Sequence, residues 1–109
     1  MEKSKRATLE AHGWRLGTAA DFLDLTPEEA AFVETKLALS RGVRDRRKAL
    51  GLSQAALAKR LTSSQSRVAK MEAADRTVSM DLLLRAFFAL GAKPRDVASA
   101  IRKGRSLAA

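Results

Sequence analysis

Between Ser53 and Glu72 the chain encodes two helices too short to stand alone, with almost nothing to join them. "SQAALAKRL" opens on the capping residue Ser53 and sets Leu57 and Leu61 on one face. "SSQSRVAKME" opens on Ser63 or Ser64 and sets Val68 and Met71 on one face. Only two or three residues separate the segments, and isolated helices of this length are marginal in water. Each must lie against its neighbours, and so tight a turn sets the pair at a steep angle. Ala58 has no bulk, so the second helix can come close, and Val68 and Met71 pin it to Leu57 and Leu61. That narrow stripe is all the second helix buries. Gln65, Ser66, Ala69 and Lys70 are left facing outward.

The rest of the chain supplies the elements these two need. In "LTPEE", Thr26 is an N-cap, Pro27 takes the first helical position and Glu29 completes a capping box. Ala30, Val33, Leu37, Ala38 and Val43 then recur at helical spacing. This predicts a long helix from about 27 to 49, ended by Gly51, with Gly42 the point where it would break. After a break at "AADRTV", Ser79 caps "MDLLLRAFFAL" and Gly91 ends it. Pro94 opens "PRDVASAIRK", with Val97 and Ile101 on its apolar side. Upstream, "GTAADFLDL" reads as a short helix capped by Thr18, and residues 1–13 lack periodicity and read as an arm. No strand alternation or repeat appears. The expected fold is all-α: a compact bundle of about five helices with a helix-turn-helix over 27–109, preceded by an N-terminal arm and short helix over 1–26.

Composition excludes several classes of function. The 109 residues make one domain with one modest core. Aromatics are limited to Trp14 and four phenylalanines, so that core is mostly Leu, Val and Ala, which favours helices. There is no cysteine, which removes disulfides, thiol catalysis and thiolate metal sites. The one histidine, His12, has no neighbour with which to bind a metal or move a proton. Asp21, Asp24 and Glu28 have helical spacing but no His partner, and the serines of 63–66 have no base to activate them. Neither a Gly-rich phosphate loop nor a Gly-x-Ser-x-Gly turn occurs. No enzyme, metal or cofactor is expected. The N-terminus carries no apolar signal, and "AFFALGA" is too short to span a bilayer, so a soluble, cytoplasmic protein is expected.

The net charge of +9 is unevenly spread: −2 over residues 1–40, +7 over 41–76 and +4 over 77–109. Its centre coincides with the short-helix pair, which points to a polyanionic partner. The outward side of the second helix suits duplex DNA. A Gln65 amide can pair with adenine N6 and N7, Lys70 can reach guanine O6 and N7, and Ala69 leaves room for a thymine methyl. Ser66 lies beside Gln65 in the first turn, and Arg67 is better placed for a phosphate. RNA is a poorer fit, because no stacking aromatics accompany the basic patch.

"GLSQAALAKRLTSSQSRVAKMEA" resembles the helix-turn-helix of the phage-repressor superfamily, the XRE or Cro/C1 family, and the resemblance extends over residues 44–91. Leu50-Gly51, "LSQ", Leu57-Ala58, Leu61, Val68 and Met71-Glu72 carry it. It implies that Gln54 binds a phosphate, that Ser64, Gln65, Ser66 and Lys70 contact bases, and that Glu72 pairs with an arginine of the first helix, here Arg47. Two positions depart from the pattern: Thr62 stands where the turn usually has Gly, and Ser63 where an apolar residue is usual. A β-branched residue at positive φ is costly, so either the turn differs in shape or the helix begins earlier.

Over nearly the whole chain, "FLDLTPEEAAFVETKLALSRGVRDRRKALGLSQ" and "SMDLLLRAFFALGAK" are similar to HigA-type antitoxins of type II toxin–antitoxin operons. That similarity implies an autorepressor that binds an inverted-repeat operator as a homodimer and neutralises a RelE/HigB-like ribonuclease toxin. A stand-alone repressor and a module chiefly binding toxin are the alternatives. The acidic residues Asp21, Asp24, Glu28, Glu29 and Glu34 could meet a basic toxin, or could simply stabilise helix N-termini. The apolar excess of the last two helices suggests a dimer interface through Phe88, Val97 and Ile101. Phe87 and Phe88 are adjacent, so either one faces the core and the other a neighbour, or both are buried between layers.

Overall fold

The computed structural model describes residues 24–108 as five helices in chain order: α1 (Pro27–Ala49), α2 (Gln54–Arg60), α3 (Gln65–Glu72), α4 (Met80–Ala89) and α5 (Pro94–Ala108). Among the described residues there is no strand. The arm and short helix expected upstream, with His12 and Asp21, lie outside the described residues.

Each start is dictated locally. Thr26 Oγ1 accepts from the Glu29 amide at 3.1 Å, and the Glu29 carboxylate accepts from the Thr26 amide at 2.9 Å, closing a capping box ahead of Pro27. Ser53, Ser64 and Ser79 cap α2, α3 and α4, accepting from the amides of Ala56, Arg67 and Leu82. Ser64, not Ser63, therefore opens the second short helix. At α5 the Asp96 carboxylate accepts from the Lys93 amide at 2.7 Å.

The first four helices end in the same way. Gly51, Thr62, Ala74 and Gly91 all have positive φ. At each end the amide of the next residue reaches back to a carbonyl five residues earlier: Leu52 to Arg47, Ser63 to Ala58, Asp75 to Lys70 and Ala92 to Phe87. This is the Schellman motif, which prefers glycine in the left-handed position. Thr62 adopts it at φ 52°. The turn keeps its ordinary shape and α3 begins on time, contrary to both expectations drawn from Thr62; the threonine absorbs the strain.

The core is one cluster that includes Leu39 and Val43 of α1, Leu57 of α2, Val68 and Met71 of α3, and Leu83 and Phe87 of α4. α1 is the spine, with α5 along it and α3 and α4 against it, while α2 packs on α3 and touches α4. Gly42 does not interrupt α1. A Cβ there would stand 2.4 Å from Phe87 Cζ and 2.9 Å from Ala100 Cβ, so the missing side chain admits α4 and α5. Gly104 serves α5 similarly, since a Cβ would lie 2.4 Å from Ala38 Cβ. α5 runs on past Lys103 to Ala108. Two guanidinium groups hold the end of α4: Arg46 Nε donates to Leu90 O at 3.0 Å and Arg60 Nη1 to Ala89 O at 3.2 Å.

Candidate nucleic-acid interface

α3 buries Val68 and Met71 completely and leaves Gln65, Ser66, Arg67 and Lys70 exposed, with Ala69 half-buried between them. Ser64 is also exposed, and its hydroxyl accepts from the Arg67 amide at 3.2 Å. That bond leaves the hydroxyl proton free to donate outward. The helix thus presents one short polar face, with a cation at each end of its outer turn.

Behind this face lies a hydrogen-bonded chain that joins three helices. Arg47 of α1 grips Glu72 at the end of α3 with two prongs, Nε to Oε2 at 2.5 Å and Nη2 to Oε1 at 2.9 Å. Arg47 Nη1 also donates to Leu52 O at 2.7 Å, which ties the α1–α2 loop to the same group. The pair is largely out of water, with the two side chains 10% and 5% exposed. Glu72 Oε1 accepts from Gln54 Nε2 at 3.1 Å, and Gln54 Oε1 accepts from Gln65 Nε2 at 2.7 Å.

Burial works to raise the Glu72 pKa, but the hydrogen bonds from Arg47 and Gln54, with the charges of Arg47 and Arg44, hold it below the usual carboxylate value. Its hydrogen bond to Glu72 raises Arg47, against the opposing effect of burial. Both groups are charged at neutral pH, and each answers the other's desolvation.

The structure therefore brings Arg47, Gln54, Gln65 and Glu72 together, beside the exposed Ser64, Ser66, Arg67 and Lys70. Gln54 is turned toward Glu72 and Gln65, so only its second amide hydrogen remains for a phosphate. Of the three residues expected at an interface between copies, Phe88 is exposed and Val97 and Ile101 are half-buried. Phe88 stands 49% exposed, whereas Val97 and Ile101 pack against the chain's own core, and Phe87 is buried. The Gln54 bridge was not anticipated from sequence, although one signal was present: glutamine is the first residue of both short helices. Among the described residues, no helix is long and apolar enough to cross a membrane.

Two short helices at a tight turn, the second offering a polar face from a basic surface, define a helix-turn-helix DNA-binding protein. A helix-turn-helix family model matches residues 43–97, from the last turns of α1 into the first turn of α5. No curated protein and no solved structure matches the chain. The chain belongs to the helix-turn-helix family in its XRE form, and is a DNA-binding transcription regulator.

Proposed function

We propose that the protein is a repressor that reads an inverted-repeat operator as a homodimer, with Ser64, Gln65, Ser66 and Lys70 at base edges and Arg67 on a phosphate. The outward face of α3 carries this reading. Polar and cationic side chains stand exposed on a helix whose other side is wholly buried, within the segment of net charge +7. Residues 27–109 form the DNA-binding domain in this reading, because α1 and α5 contribute core residues on both sides of the family match. Selection from a random duplex library tests it. The expected product is an inverted repeat with half-site centres about 34 Å apart, and single unpaired half-sites would contradict it.

A second reading adds a toxin partner through α1. Phe32 is 55% exposed, and Glu28 precedes it by one turn. An apolar side chain flanked by carboxylates suits a basic protein such as a RelE/HigB-like ribonuclease. Glu29 is already engaged in the Thr26 cap, so Glu28 and Glu34 carry the charge in this reading. A neighbouring reading frame for a small basic toxin is the first check. With it in hand, Phe32→Ser should abolish neutralisation and spare operator binding; unaltered neutralisation would remove this surface from consideration.

A further inference from the structure

α1 and α5 come together at Gly42 and Gly104, and a groove runs along their seam. Its volume is about 620 Å³, inside the span of about 300–1,000 Å³ usual for small-molecule sites. Along the seam it is lined by Ala38, Gly42, Ala100 and Gly104, with Ala49 at the C-terminal end of α1. The Phe87 ring tip fills the place that a Gly42 side chain would take. Small side chains over a ring leave a smooth apolar floor, which suits a flat ring system.

Both banks are charged. Arg41, Asp45 and Arg46 line the α1 side, and Asp96, Arg102 and Lys103 the α5 side. The two carboxylates are already engaged. Asp45 lies 3.9 Å from Arg44, while Asp96 accepts from the Lys93 amide at 2.7 Å and lies 4.0 Å from Arg46. Among the described residues, no carboxylate pairs with Arg41, Arg102 or Lys103. The charge left to the groove is therefore positive. Arg41, Gly42, Ala100, Arg102 and Lys103 all fall outside residues 43–97, so the helix-turn-helix match does not account for the groove. We propose that it is a binding site for a small aromatic acid, with the rings on the seam and the anionic group against Arg41, Arg102 and Lys103. An inorganic anion would leave the apolar seam uncovered, and a neutral ring would leave the cations unanswered. The site is separate from the DNA face. Gly42 and Arg47 are about 140° apart around α1, and Arg47 points to Glu72 of α3, so the groove opens away from α3.

Anilinonaphthalene sulfonate, a flat ring system with one anionic group, is the probe, and its neutral parent phenylnaphthylamine is the control. Fluorescence titration of the full-length protein is expected to show the sulfonate bound about tenfold or more tighter than the neutral ring, the effect of a charge-assisted hydrogen bond. The sulfonate should raise the thermal midpoint, as a ligand of the folded chain does. A lowered midpoint would mean that it binds the unfolded chain, and would overturn the site. Ala49→Phe should fill one end of the groove and weaken both dyes. Arg41→Gln combined with Lys103→Gln should weaken the sulfonate alone, until the two dyes bind alike. Unchanged thermal midpoints show that the variants fold, and the double variant decides the matter if Ala49→Phe does not. A short DNA duplex should leave the bound sulfonate in place; displacement would put the dye on α3 and overturn the proposal. Equal binding of the two dyes by wild type, or unaltered sulfonate affinity in the double variant, overturns it as well. A double variant that changes sedimentation and not dye affinity would make the groove an interface between copies, which also overturns it.

Discussion

Thr62 and Ala74 share a backbone conformation that glycine holds at the equivalent ends of α1 and α4, and they flank α3 on both sides. With φ of 52° and 55°, each keeps a Cβ in the left-handed region, at a cost of about 1 kcal/mol or more. Glycine would relieve that strain but adds freedom to the unfolded chain, which offsets about 0.4–1 kcal/mol. Thr62→Gly and Ala74→Gly are therefore each expected to stabilise by about 0.5 kcal/mol, read as higher urea midpoints at unchanged slope. A lowered midpoint in either would show that the side chain contributes more than its strain costs. Gly42 gives the opposite expectation. Alanine is the better helix former by about 1 kcal/mol, yet its Cβ would meet Phe87 Cζ at 2.4 Å. Overpacking of about 1–3 kcal/mol should win, so Gly42→Ala is expected to lower the midpoint. These strains differ in how far sequence reveals them. A threonine in a glycine position can be read directly, whereas Gly42 looks like a helix breaker until Phe87 and Ala100 are seen against it.

The elements are joined at one polar point, the Arg47–Glu72 pair, which ties α1 to α3 and, through Leu52 and Gln54, to α2. Removing either partner leaves a buried charge, so Arg47→Met or Glu72→Met should each cost about 3–5 kcal/mol, while the double methionine variant recovers most of the loss. Single variants no less stable than the double one would mean that the pair carries no such charge penalty. The same pair predicts a pH dependence. The Glu72 pKa is lowered on folding, so its contribution is complete above the unfolded value of about 4.3. It is lost as pH falls through the lower folded value. Acid titration of stability should show this loss, and Glu72→Gln should flatten that part of the curve. Helix starts were almost fully legible, because Thr26, Ser53 and Ser79 act through bonds to amides three residues away. What lay beyond local chemistry was not: Gly104 lets α5 lie close against Ala38, a contact between residues 66 positions apart.

For the whole molecule, the short-helix pair and the position of the positive charge made the fold class and DNA as partner readable before any coordinates. The surface between copies was harder to read, because apolar bulk alone does not say which side chains the chain uses for itself. Val97 and Ile101 are half-buried against its own core, and Phe88 is the one of the three expected residues that stands exposed. Phe88→Asp should therefore keep the thermal midpoint and shift sedimentation at micromolar concentration from dimer to monomer; a wild type that sediments as a monomer even on operator DNA would remove the dimer. The central claim is that α3 reads base edges while Arg67 holds the backbone, and Gln65→Ala compared with Arg67→Ala on a selected operator tests it most directly. Gln65→Ala is expected to cost about 1–3 kcal/mol on the operator and to relax one base pair. Arg67→Ala is expected to weaken all sequences alike and to flatten the salt dependence by about one unit. Two variants that bind the operator as tightly as wild type, with its sequence preference and salt slope, would contradict the account.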